Sequence, residues 1–151
     1  MPVCSPGGLA AVYVDSSGAA GSDIVEYGFR NLTTRRCELT GYPAVQMLTT
    51  SGGKLSTTDE HAAAGAFGIT IKPVPIAHNA VAYFGVVYAS ATGFANLSCP
   101  SSAALRLTPP GATTGLVLKG RGGRIQPYGG TTVHLQCGIV HVGPVTAKRF
   151  Q

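Results

Sequence analysis

The chain has 151 residues, 44% of them apolar and 11% charged, with 21 glycines and 10 prolines. Charged residues usually make up about 25% of a soluble domain, so a highly solvated helical bundle and a charge-rich disordered chain are both excluded. The length supports one hydrophobic core, hence a single domain over residues 1–151, and the formal charge of +5 puts a basic balance on it.

In chain order, Leu9 to Asp15 reads as a first strand, ended by Ser16, Ser17 and Gly18. Ser22 to Asn31 is a clearer strand, since Val25, Tyr27 and Phe29 alternate with Glu26 and Arg30. Cys37 to Leu39 and Val45 to Thr49 flank a bend at Gly41-Tyr42-Pro43, where the Tyr42 ring is expected to pack as a structural residue. Thr58 to Ala64 is the one stretch that reads as a short helix. Asn79 to Ala91 is apolar on both alternations, as in a strand covered on both sides. Leu105 and Leu107 flank Arg106 before Pro109-Pro110-Gly111 stops the strand, and Leu116 to Lys119 is a short strand leading into a glycine-rich loop. Thr131 to Cys137 and Val140 to Val145 close the set. About eight or nine short strands without strong amphipathic helices predict an all-β, antiparallel two-sheet sandwich. Val25, Tyr27, Phe29, Val81, Tyr83, Leu105, Leu107, Val133 and Leu135 are its expected core.

Four cysteines, Cys4, Cys37, Cys99 and Cys137, lack the close spacing of a structural zinc site. Three pairings are open, and Cys4 to Cys37 with Cys99 to Cys137 is favoured because each pair brackets one part of the chain. Disulfides imply an oxidising compartment, so a secreted or cell-envelope location is expected. The start Met1-Pro2-Val3-Cys4 shows no export leader, which reads as the mature part of an exported chain behind an added Met. No segment has the roughly 20 apolar residues of a membrane helix.

The residues Gly18-Ala19-Ala20-Gly21-Ser22, Tyr27-Gly28-Phe29-Arg30-Asn31 and Cys37-Glu38-Leu39-Thr40-Gly41-Tyr42-Pro43-Ala44-Val45 carry a resemblance. It continues through Cys99-Pro100, Ala104-Leu105-Arg106-Leu107 and Cys137-Gly138-Ile139. The chain resembles the actinobacterial exported family called domain of unknown function 4232. The resemblance implies a secreted, lipid-anchored or membrane-tethered sandwich domain and implies no activity. The leader, lipobox and Ser/Thr/Pro-rich linker of the family's usual layout are not seen.

Catalytic signatures are sparse. No GxSxG elbow is present for a Ser/His/acid triad, and all six carboxylates fall within the first 60 residues, away from His78, His134 and His141. Asp23 and Glu26 fall on opposite strand faces, against a paired-carboxylate glycosidase. His134, Cys137 and His141 invite a metal site, but strand parity opposes it. Asn31-Leu32-Thr33 and Asn96-Leu97-Ser98 match the glycosylation sequon and are expected to be unused. The first 60 residues carry net −2, whereas everything from His61 onward is free of carboxylates and carries +7. Lys119, Arg121 and Arg124, joined in space by Lys148 and Arg149, are therefore the candidate anionic-ligand contact. The expected function is a non-enzymatic exported binding or interaction module, with an immunoglobulin-like sandwich, no cofactor or metal, and an unknown protein or anionic envelope polymer as partner. An envelope structural protein is the alternative, a hydrolase a more remote one, and nucleic acid is not favoured as a partner.

Overall fold

A computed structural model of the chain describes residues 1–19, 22–49, 51–55, 57–61, 69–89, 102–119 and 139–149. The described strands are β1 (Leu9–Ala19), β2 (Ser22–Asn31), β3 (Cys37–Leu39), β4 (Ala44–Leu48), β5 (Thr58–His61), β6 (Val74–Ile76), β7 (Val81–Ala89), β8 (Ala104–Thr108), β9 (Leu116–Lys119) and β10 (Ile139–Val142). They form a five-stranded sheet in the order β1-β2-β7-β10-β5, a three-stranded sheet β4-β8-β9 and the pair β3-β6. The described fold is all-β with no closed barrel, and no helix among the described residues is long and apolar enough to cross a membrane. The expected strand Thr131 to Cys137, with Val133 and Leu135, lies outside the described residues.

One core joins all three sheets. Val25, Tyr27 and Phe29 of β2 pack with Phe84 and Val86 of β7, Leu39 of β3, Ile76 of β6, Met47 of β4, and Leu105 and Leu107 of β8. The Phe84 ring stacks on Phe29 at 5.2 Å between centroids and tilts against Tyr27 at 6.0 Å, which meets Tyr13 edge-on at 6.3 Å. Burial pushes the Tyr27 phenol well above its usual value of 10.0, and the nearby Tyr88 and Tyr13 add to the rise.

Four expectations are corrected here. Val81 and Tyr83 are half-buried, and Ala82, Phe84, Val86 and Tyr88 point into the core instead. The register explains it: Tyr27 lies opposite Phe84, Phe29 opposite Ala82 and Val25 opposite Val86, and opposed residues share a face. Thr58 to His61, the described part of the expected helix, is a strand paired in parallel with β10. Its non-local partner overrides weak local preference, and that parallel pair also departs from the all-antiparallel expectation. Ser16, Ser17 and Gly18 do not end β1, which stays paired to β2 as far as Ala19 opposite Ser22.

Cys4 and Cys37 form the expected disulfide, with Cα atoms 4.9 Å apart and both residues buried. The chain start lies alongside β3, where the Cys4 N–H donates to Glu38 and the Glu38 N–H to Pro2, at 3.0 and 2.9 Å. After β3, Gly41 takes φ +102°, a left-handed conformation that a side chain would disfavour, and Pro43 then enters β4 buried. Cys99 and Cys137 lie outside the described residues.

Asn31 ends β2 on the inward parity and is completely buried. Its Nδ2 donates to the carbonyls of Arg35 at 2.8 Å and Ile76 at 3.0 Å, while its Oδ1 accepts from the Thr33 N–H and hydroxyl at 2.9 and 2.7 Å. Both amide hydrogens are committed, so this asparagine is a structural clamp and a poor sugar acceptor. Asn96 lies outside the described residues. Asn31→Asp replaces two donated bonds with a carboxylate facing two carbonyls and is expected to cost about 2 to 3 kcal/mol, read as a lowered urea midpoint at neutral pH.

Candidate functional site

The outer face of the β4-β8-β9 sheet follows from its register. Leu48 lies opposite Ala104, which lies opposite Lys119, and Gln46 lies opposite Arg106, which lies opposite Val117. Met47, Leu105 and Leu107 alternate to the other side and fill the core. Beyond β4, a turn held by Thr49 N–H to Gly53 carbonyl at 2.8 Å brings Lys54 back opposite Leu48. One cross-strand row therefore reads Lys54, Leu48, Ala104, Lys119, and the next contains Arg106.

These rows border a shallow groove of about 510 Å3 lined by Leu48, Thr49, Ser51, Ala104, Arg106 and Lys119, among others. Its floor is apolar and its rim carries hydroxyls and cations. Among the described residues no carboxylate lines it, and the ion pairs found among them involve Arg149, not Lys54, Arg106 or Lys119. Arg106 is positioned from beneath: a Cβ on Gly115 would lie 2.4 Å from its Cγ and 2.8 Å from its Cδ, so the glycine leaves the channel through which the stem runs. A face that sets Arg106 and Lys119 on the groove, with Lys54 in the cross-strand row of Lys119, attracts anions by an interaction that salt screens over about 8 Å.

Of Lys119, Arg121 and Arg124 in the expected basic cluster, one falls among the described residues. Lys119 is exposed on this face, while Arg121 and Arg124 lie outside the described residues. Arg149 is engaged by two acids. Its Nη2 lies 3.3 Å from Asp15 Oδ2 and its Nε 3.6 Å from Glu26 Oε1, on the five-stranded sheet. Lys148 is exposed beside it in the chain. Lys54 and Arg106 were not among the expected contacts, because only the sheet register sets them beside Lys119.

The acid pair is likewise a product of register. Tyr13 opposes Tyr27 and Asp15 opposes Glu26, so Val14 is a bulge that turns Asp15 onto the face of Glu26. Glu26 is fully buried, and Asp15 also accepts the Ser16 N–H at 2.8 Å. Arg149 bridges the two carboxylates with one positive charge, and this cluster ties the chain near residue 149 to the β1-β2 hairpin. His141 is exposed on β10, while His134 and Cys137 lie outside the described residues.

The fold and this face define an all-β, disulfide-tied domain in which the three described sheets share one core and one of them carries a cationic groove. The chain belongs to the family described as domain of unknown function (DUF4232), whose model matches residues 4–146. Neither the curated proteins nor the solved structures give a match.

Proposed function

We propose that this domain is a non-enzymatic, extracytoplasmic binding module whose cationic groove holds an anionic polymer of the cell envelope. In this reading the sheets form an immunoglobulin-like sandwich, and Cys99 to Cys137 makes a second disulfide beside Cys4 to Cys37. The observation that carries the binding role is the placement of Arg106 and Lys119 on a groove with an apolar floor and hydroxyl rim, with Lys54 in the cross-strand row of Lys119 and no carboxylate among the described lining residues. An open groove of that kind suits an extended chain of repeating charge. Disulfide use supports an oxidising location. The engagement of Asp15 and Glu26 by Arg149 supports a structural rather than a catalytic role for that acid pair.

The test is retention on immobilised dextran sulfate of the native protein and of a variant carrying Lys54→Ser, Arg106→Ser and Lys119→Ser. Three surface ionic contacts at about 0.5 kcal/mol each make the variant bind roughly tenfold more weakly at low salt. Both proteins should converge as salt rises. Unchanged retention of a variant with native thermal stability eliminates the groove as the binding site.

A further inference from the structure

The loop from β2 to β3 presents a different collection of charge. Arg35 and Arg36 in the loop, and Arg30 near the end of β2, are exposed and form no ion pair among the described residues. Glu38, the carboxylate nearest in the chain to Arg35 and Arg36, sits half-buried in β3 opposite Pro75. Within this segment Leu32 is 52% exposed, and it is held there rather than loose. Its N–H donates to Gly8 at 2.9 Å, the preceding Asn31 is the buried clamp, and His78 Nδ1 donates to the Thr33 carbonyl at 2.8 Å.

Single exposed apolar residues are ordinary on protein surfaces. Here they are gathered. Of the five large apolar side chains exposed among the described residues, Met1, Val3 and Leu32 belong to this region. Val3 shares with Arg35 and Arg36 a cleft of about 140 Å3 beside the Cys4–Cys37 bridge. That volume falls well below the ~300 Å3 at which small-molecule pockets begin, so it suits one headgroup rather than a whole ligand.

We propose that this loop is a docking surface for an anionic lipid bilayer, with Arg35 and Arg36 on headgroup phosphates and Leu32 entering the acyl boundary. Arginine suits phosphate through its planar, multiply donating fork. A dissolved polyanion would use the arginines but gain nothing from Leu32 and Val3, whereas an interface uses both. The surface shares no residue with the groove on the β4-β8-β9 sheet, so the two assignments stand or fall separately.

Co-sedimentation with vesicles tests it, using phosphatidylglycerol mixed with phosphatidylcholine against phosphatidylcholine alone. The native protein binds the anionic vesicles selectively. Arg35→Ser with Arg36→Ser weakens that binding roughly 30-fold, from about 1 kcal/mol for each basic residue at the surface. Leu32→Ser, with both arginines kept, weakens it further at high salt than at low salt, where charge dominates. The groove variant with Lys54, Arg106 and Lys119 replaced binds vesicles as the native protein does. Equal binding to both vesicle types, insensitivity to the arginine pair, or loss in the groove variant alone overturns the proposal. Complete displacement of vesicles by millimolar inorganic phosphate at constant ionic strength also overturns it, because the ligand would then be the free ion.

Discussion

Phe84→Ala is expected to destabilise the domain by about 3 to 5 kcal/mol, while Tyr83→Ala on the adjacent position costs less than about 2 kcal/mol. The contrast is the point of the experiment. Phe84 is completely buried, stacked on Phe29 at 5.2 Å and packed against Tyr27 at 6.0 Å. Its removal takes away transfer energy and leaves a cavity that two large rings cannot easily close. Tyr83 faces the other side of β7, is half-buried, and opposes Gly28. Urea denaturation of both variants, with unchanged slopes, measures the difference. Comparable losses at the two positions would mean that β7 is registered one residue away from its described pairing with β2.

Replacing Cys4 and Cys37 together by alanine is expected to cost about 3 to 4 kcal/mol, the chain-entropy value for the loop the bridge closes. The bond spans a sequence separation of 33 residues and encloses the whole of β1 and β2. Without it, the first residues are still held to β3 by their backbone bonds to Glu38. Denaturation of the double variant under oxidising conditions, beside the native protein, reads the effect. A loss below about 1 kcal/mol would show that the unfolded chain is already restricted in this region.

The legible parts of the fold are those where one alternation is apolar and the other polar. β2 is read to its observed ends because Glu26 and Arg30 interrupt Val25, Tyr27 and Phe29. β7 is found but not its inward face, since Val81, Tyr83 and Val87 look as apolar as Phe84, Val86 and Tyr88, and only pairing with β2 breaks the tie. β6 has just three residues, Val74–Ile76, too few to show a period. β5 depends on a partner some 80 residues away in the chain and carries no local signal of its own. The candidate site divides in the same way. Lys119 is conspicuous beside a run of glycines and arginines, but Arg106 looks like one polar interruption in a strand. Lys54 becomes its neighbour only once a turn and two registers are known. The pairing of Asp15 with Glu26 was hidden because the bulge at Val14 reverses the parity that counting residues would assign.

The covalent link between the chain start and β3 also decides how the domain would carry a pulling load. Tension applied at Met1 reaches Cys4 and crosses directly to Cys37, so the segment between them bears none of it. Hydrogen bonds between β1 and β2 are thereby spared, and the force enters through β3 and its partner β6. Cutting the bridge would place the hairpin in series with the load and release roughly 110 Å of hidden length. In a stretched molecule the Cys4–Cys37 bond thus acts as a mechanical shunt, setting which strands peel first.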